Sequence, residues 1–204
     1  MKESNLPLAK HFESLRENPK WVLKLVLAIV VVTLSTIIGA LAIDYDELFK
    51  DPSMSQQEVE QAKLMGQIGG IIGGVIGNII GIGITFVIFL LISKIMKSDA
   101  SGKSIFSATL SYTLITGIVG LVVALIQWIT GLSPTHYNIA SLNIFDKGNK
   151  ILGVFNLQIL IGAYVFGIML FATNRFSKKS TIIWSFIYLV VVIGSALIGA
   201  LFTS

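Results

Sequence analysis

Charged residues are scarce in this chain, and cysteine is absent. Asp, Glu, Lys and Arg make up only 13% of the 204 residues, against 54% hydrophobic residues. This balance leaves too few polar side chains to cover a water-soluble globule. The lack of cysteine excludes a disulfide framework, a thiolate nucleophile and cysteine-ligated metals. The net charge of +4 is not gathered into one basic patch, so nucleic-acid binding is not expected.

What the chain does contain is long apolar runs. A span needs about 20 consecutive apolar residues, because lipid offers no hydrogen-bond partner to the backbone. Five segments satisfy this requirement, at residues 21–43, 66–95, 104–130, 151–173 and 181–202. The predicted fold is an all-α integral membrane protein, in which residues 21–204 form a single bundle of five transmembrane helices and residues 1–20 form a short tail.

Two sequence signals concern the ends of these spans. Ser55 and Glu58 have the spacing of a capping box, which predicts that the second helix begins before the membrane. The stretch 40–42 reads Ala-Leu-Ala after a basic tail and an apolar run, as at the end of a signal peptide. Because that run is longer than a typical signal sequence, we interpret it as the first span rather than as a cleaved leader.

Lysine and arginine predict the orientation. Eleven lie on the side of the N-terminus and four on the other side. Cytoplasmic loops are enriched in these residues, so the N-terminus is predicted in the cytoplasm and the C-terminal Ser204 outside. The N-terminal side has Lys2, Lys10, Arg16, Lys20, Lys24, Lys94, Lys97, Lys103, Arg175, Lys178 and Lys179, and the other side has Lys50, Lys63, Lys147 and Lys150.

The tail has a weak helical pattern. Leu8, Phe12 and Leu15 are spaced four and three residues apart, so a helix there would carry an apolar stripe. Such a helix would lie along the cytoplasmic membrane surface. A partly disordered leader is the alternative. Pro19 would end the helix and direct the chain into the first span.

Glycine is concentrated in the second span, which has eight glycines between Met65 and Gly83. Two rows with four-residue spacing fall on neighbouring strips of one helix face. In lipid, helices associate through close packing rather than water exclusion, and small residues permit that approach. We interpret the rows as a packing groove for another span or a second copy of the protein. Its residues are Gly66, Gly69, Gly70, Gly73, Gly74, Gly77 and Gly81.

Candidates for chemistry are few. His11 and His136 are predicted on opposite sides of the membrane, so no site can use both. Residues 102–104 read Gly-Lys-Ser, as in a phosphate-binding loop, but Lys97 stands where its first glycine belongs. No Asp, Glu, His or Arg lies deep in a span, which argues against a proton relay. We therefore expect no enzyme, no cofactor and no metal site.

Uncharged polar residues and one acidic loop remain. Asn78, Gln127, Asn156 and Gln158 are the main intramembrane polar candidates, and such residues usually form hydrogen bonds between helices. The acidic stretch 44–51 has no EF-hand spacing and is interpreted as a solvated boundary beside the first span rather than a cation site.

The order of these pieces resembles the Yip-domain family of polytopic membrane proteins. The resemblance is carried by FESLRENPKW at 12–21, the glycine-rich span, SGKSIFSATLSYTLITGI at 101–118 and NLQILIGAYVFGIMLFATNRFSKKSTIIW at 156–184. It implies five spans with a cytoplasmic N-terminus. Eukaryotic members bind prenylated Rab-type GTPases, in part through a long N-terminal region. This tail has about twenty residues, so GTPase binding is not expected, and the chain is more similar to a bacterial member of the cell membrane.

Some bacterial relatives accompany ABC-type exporters that protect against peptide toxins and envelope stress. The leading hypothesis is accordingly a non-enzymatic scaffold or accessory subunit, which binds other membrane proteins or itself through the glycine face and the cytoplasmic tail. The alternative is a small transporter or channel for a neutral or lipidic substrate.

Overall fold

The structure is a computed structural model that describes residues 5–49 and 54–202. Within these ranges it is helical, apart from loops and one isolated β-bridge between Ser141 and Asn156. Lys2, Lys50, Asp51 and Ser204, which entered the charge and loop predictions, lie outside the described residues. The α-helices are α1 (Ala9–Glu17), α2 (Val22–Leu41), α3 (Tyr45–Leu48), α4 (Gln56–Ile95), α5 (Gly102–Thr130), α6 (Lys150–Val154), α7 (Leu157–Ala172) and α8 (Lys178–Phe202); a short 3₁₀ helix, Leu142–Phe145, precedes α6.

Four helices in the described part of the chain are long and apolar enough to cross a bilayer, namely α2, α4, α5 and α8. Their outward faces carry many exposed large apolar side chains, an arrangement suited to lipid rather than to water. These four correspond closely to the predicted first, second, third and fifth spans. The chain is therefore an all-helical membrane protein.

Helix α4 is much longer than a crossing requires. Its 40 residues extend about 60 Å at the usual helical rise, against a hydrocarbon core of about 30 Å. The predicted capping box starts it: the Ser55 hydroxyl accepts from the Glu58 backbone N–H, while the Glu58 carboxylate accepts from the Ser55 N–H at 2.8 Å. The helix thus begins well before its glycine-rich part and continues into it without a break.

The predicted fourth span is not one continuous helix. Residues 151–173 are divided into α6 and the 16-residue α7, because the chain is extended at Asn156. The Asn156 side chain accepts a hydrogen bond from the Gln158 N–H at 2.8 Å and caps α7. Helix α7 is only about 24 Å long, yet it is the most buried helix, so its neighbours rather than lipid surround it.

The centre of the bundle is α5, which packs against α1, α2, α4 and α7; α8 packs on the outside against α6 and α7. Glycines permit two of these contacts. A Cβ atom at Gly117 of α5 would lie 3.2 Å from Val31 of α2, and one at Gly162 of α7 would lie 2.8 Å from the Tyr188 hydroxyl of α8. A larger residue at either position would force the facing side chain to shift, so glycine suits both close contacts.

Two substitutions in α7 should distinguish a side chain packed inside the bundle from one exposed to lipid by their effects on the free energy of unfolding. Leu170 is fully buried whereas Leu160 is 54% exposed. We expect Leu170→Ala to lower the free energy of unfolding by about 3 kcal/mol, because it leaves a cavity among fixed neighbours. Leu160→Ala should change it by less than about 0.5 kcal/mol. Unfolding in mixed detergent micelles by added SDS measures both, and equal losses would contradict the buried position of α7.

Candidate functional site

The two glycine rows of α4 have different surroundings. The inner row, Gly66, Gly70 and Gly74, lies against other parts of the chain. A Cβ at Gly66 would lie 3.1 Å from the Phe49 ring, and one at Gly74 would lie 2.6 Å from the Thr36 methyl group of α2. The inner row therefore packs within the molecule.

The second row has open space where side chains would be, although Gly81 at its end lines a pocket among α2, α4 and α5. At Gly69, Gly73, Gly77 and Gly81, no described atom lies within 4 Å of the position a Cβ would take. We call these four residues the open glycine row. An isoleucine ridge runs beside it at the same four-residue spacing, and all of its members are about half exposed: Ile68, Ile72, Ile76, Ile80 and Ile84. A groove and a ridge thus lie side by side on the membrane face of α4, and their packing against another protein stays a prediction.

The four polar candidates are not gathered in one site. The Asn78 amide donates to the Thr36 hydroxyl at 2.9 Å and links α4 to α2. Gln127 is buried near the end of α5, where its amide donates to the Tyr137 carbonyl at 2.8 Å and holds the following loop. Both residues therefore have a structural partner.

Asn156 and Gln158 form a second, separate pair. The Asn156 amide donates to the Gln158 side-chain oxygen at 3.2 Å at the start of α7. The Gln158 amide nitrogen is 3.6 Å from the position of a Cβ at Gly120 of α5, an ordinary packing distance. The pair joins α7 to the central helix.

The most extensive polar network holds the N-terminal tail, which packs into the bundle. Sequence reasoning missed this docking. Helix α1 forms, and the stripe residues Phe12 and Leu15 are buried in the core against α5 and α7, whereas Leu8 is exposed. The apolar face thus contacts protein, and a position of α1 along the membrane surface stays a prediction. The signal that could have indicated this docking is the spacing of Ser104, Ser107 and Ser111, which places three hydroxyls on one face of α5.

These serines hold the tail and the start of α2. The Ser104 hydroxyl donates to the Arg16 carbonyl at 3.0 Å, and the Ser107 hydroxyl donates to the Lys20 carbonyl at 3.3 Å. The Ser111 hydroxyl pairs with the His11 Nε2 at 3.0 Å. We call Ser104, Ser107 and Ser111 the serine track. A serine beside a histidine could form a nucleophile pair, but Ser111 is 1% exposed, so no substrate could reach its oxygen.

Arg16 connects α1 to the end of α7 and to the loop between α4 and α5. Its guanidinium donates to the Thr173 carbonyl at 2.9 Å and pairs with Asp99, in the loop between α4 and α5, at 2.5 Å. The hydrogen bond from Arg16 lowers the pKa of Asp99 below its ordinary value. Thr173 in turn donates from its hydroxyl to the Phe12 carbonyl at 2.8 Å. Arg16 is 11% exposed and Asp99 is 76% exposed, so the carbonyl bond stabilises docking more than the ion pair does.

The ends of α4 and α7 are joined beside this network. The Ser98 hydroxyl donates to the Asn174 carbonyl at 3.1 Å, and the buried Asn174 amide donates to the Ser93 hydroxyl at 2.9 Å. Both helices end with a non-glycine residue in the left-handed region, Lys97 with φ 54° and Arg175 with φ 56°. Such turns cost free energy and persist where neighbouring contacts hold them. The inner ends of α1, α4 and α7 therefore form one fixed junction.

At the opposite end of the bundle, acidic side chains of α3 pair with the loop after α5 and with α4. The His136 Nε2 lies 2.7 Å from a Glu47 carboxylate oxygen, and Asp46 pairs with Lys63 of α4. The Asp44 side chain caps α3 by accepting from two backbone N–H groups. No group of three metal-ligating side chains occurs among residues 5–49 and 54–202. These acidic side chains therefore connect α3 to α4 and to the loop after α5.

Arg16 should control the docking of α1. Because the chain has no cysteine, Ala9→Cys provides a single thiol at a position that is 3% exposed. We expect Arg16→Gln to raise the maleimide labelling rate of that thiol about tenfold, since a hydrogen bond to a charged group is worth about 1.5–3 kcal/mol. The exposed Glu17→Gln is the control, and equal labelling of both variants would contradict the role of Arg16.

The docking of α1 should also weaken in mild acid. Partial burial, and secondarily the nearby Lys24 ammonium, lower the pKa of His11 below its ordinary 6.5. An undocked His11 binds a proton more readily, so stability is lost as the pH falls below about 6.5. Spin labels at Lys10→Cys and Lys179→Cys should give a broader distance distribution at pH 5.5 than at pH 7.5. His11→Gln should remove this pH dependence; a dependence that persists in the variant would exclude His11 as its cause.

The comparisons with known proteins can now be set beside this geometry. A family model of the Yip1 domain matches residues 7–201, from just before α1 almost to the end of α8. Neither the curated proteins nor the solved structures include a match. The matched range contains the docked tail helix as well as the four long apolar helices. The chain therefore belongs to the Yip1 domain family.

Proposed function

We propose that this protein is a non-enzymatic membrane scaffold or accessory subunit, which assembles or regulates a partner membrane complex. The observation that carries the proposal is the open glycine row of α4. Glycine inside a helix is unfavourable by about 1 kcal/mol relative to alanine, so four unpaired glycines on one face need a compensating contact. The inner row has that contact within the chain, and the open row has none among the described residues.

The shape of this face suits helix pairing. A ridge of side chains on one helix packs into the groove of another when both follow the same four-residue spacing. The isoleucine ridge and the open glycine row have this spacing and lie next to each other, so two copies of α4 complement each other. In lipid, the close approach of backbones supplies the dispersion contacts and weak Cα–H···O bonds that hold such a pair.

The proposed membrane arrangement has five spans, with the N-terminus in the cytoplasm and the C-terminus outside. The crossing that is added to the four long helices is α7, which is the fourth in chain order. Its 16 residues are shielded by α5 and α8, and α6 continues its path toward the outer side. Orientation is supported by the excess of lysine and arginine on the N-terminal side.

The proposed setting is a bacterial cell membrane, where the partner is an ABC-type exporter that protects against toxins or envelope stress. This step rests on the family resemblance. A gene for such an exporter beside the gene for this chain would support it.

A small transporter or channel for a neutral or lipidic substrate is the second candidate. One observation favours it: a polar-lined pocket of about 300 Å³ lies among α2, α4 and α5, with Asn78, Thr85, Tyr112, Thr113 and Thr116 in its wall. Solute flux into liposomes that is abolished by Asn78→Leu would support this candidate over the scaffold.

Leucine in the open glycine row should disrupt association. Ile76→Cys places a single thiol on the ridge, and oxidative crosslinking in native membranes should give a disulfide-linked dimer. We expect Gly73→Leu with Gly77→Leu to remove most of this product, because the added side chains fill the groove.

Gly194→Leu is the matched control. It lies in equally open surroundings on a different helix, α8, so it should leave the crosslinked product unchanged. Pull-down of a membrane partner should follow the same pattern. Association that survives the double substitution would refute the scaffold proposal at this face.

A further inference from the structure

Helices α4 and α8 enclose a side opening in the bundle. Helix α4 packs against α2, α3 and α5, while α8 packs against α6 and α7, so a slot remains between the two. The slot has a volume of about 480 Å³, which is within the range of small-molecule sites. We call it the α4–α8 slot.

The floor of the slot is a cluster of aromatic rings. Phe89 of α4 stacks on Phe166 of α7 at 4.9 Å between ring centres, and it meets Tyr112 of α5 edge-on at 5.2 Å. Phe166 also contacts the Tyr188 ring at 5.2 Å. Trp184 lies in the wall one turn of α8 nearer the cytoplasmic end. Flat faces of this kind favour stacking with another flat ring.

Two hydroxyl groups lie within this aromatic lining. The Tyr112 and Tyr188 hydroxyls pair at 2.8 Å, which uses only one of their two hydrogens. The described residues place no acceptor against the other hydrogen, and both side chains border the slot. A spare donor in apolar surroundings favours a ligand that presents an oxygen acceptor there.

The depth of the two tyrosine hydroxyls in the membrane limits the chemical class of the ligand. Tyr112 and Tyr188 each lie ten residues past the first residue of their helices, or about 15 Å along the axis. Headgroups and their esters stay at the membrane surface, above this level. None of the described residues that line the slot is charged, so the buried part of the ligand is neutral.

We propose that the α4–α8 slot binds an isoprenoid quinone. Its flat, uncharged ring stacks on the aromatic floor, one carbonyl oxygen accepts the spare tyrosine hydrogen, and its tail extends into lipid beside α4. This site is separate from the open glycine row and goes beyond the scaffold function.

Trp184 allows a direct test, because the chain has only two other tryptophans, Trp21 and Trp128. In a Trp21→Phe, Trp128→Phe background, full-length protein in lipid nanodiscs is titrated with menaquinone. A bound quinone should quench Trp184 fluorescence to a plateau. The double substitution Tyr112→Phe, Tyr188→Phe removes both hydroxyl donors and should weaken apparent binding roughly three- to tenfold, the effect of one neutral hydrogen bond.

Two matched variants identify the site. Ile187→Phe narrows the slot and should abolish the plateau, whereas Ile182→Phe adds the same ring to an exposed position of α8 outside the slot and should not. Quenching that rises linearly, without a plateau, would reveal only contact with free quinone and would overturn the proposal. Displacement of quinone by equimolar diacylglycerol would also overturn it, by assigning the slot to a glycerolipid.

Discussion

Close approach between helices, made possible by single glycines, is the constraint on which this fold depends. In a bilayer the hydrophobic effect does not drive helices together, so stability comes from packing and interhelical hydrogen bonds. Gly117, Gly162 and Gly167 each lie where a side chain from a neighbouring helix would crowd a Cβ. These contacts join α2, α5, α7 and α8 in sequence. The aromatic floor and the paired tyrosines of the α4–α8 slot are positioned by the same contacts, since Gly162 lies beside both hydroxyls.

At the end of the bundle where α1 docks, serine hydroxyl groups add interhelical hydrogen bonds to the close packing that glycines permit. The serine track is narrow enough for backbone to pass close to α5, and each serine also satisfies a polar group of the incoming tail. The Arg16 carbonyl at the end of α1 depends on Ser104 for a partner near the lipid boundary, where an unpaired carbonyl costs several kcal/mol. The Lys20 carbonyl in the link to α2 also accepts from the Lys24 ammonium at 3.0 Å. Packing of Phe12 alone would not fix the direction of α1, whereas three directional bonds do.

Hydropathy and charge were sufficient to predict the membrane class, the four long helices and the capped start of α4, because each depends on local sequence. The division of the fourth predicted span was not foreseen: Asn156 reads as one polar residue in an apolar run, and only the chain path shows it to be a cap. The docking of α1 was also missed, since its partners Ser111 and Thr173 are 100 and 162 residues from His11. Glycine density drew attention to α4, whereas isolated glycines of α5 and α7, such as Gly117 and Gly167, also make close contacts between helices.

The position of α1 has a consequence for assembly. Helix α1 precedes α7 by about 150 residues in the chain, so its binding surface is completed only when α7 has been made. Contacts so distant along the chain form late, after the helices that supply them have inserted. Until then α1 can pack only against α5, and a chaperone or the membrane surface must cover the part of its apolar face that later contacts α7. Docking of α1 against α7 thus marks the completion of the bundle and closes this end of it last.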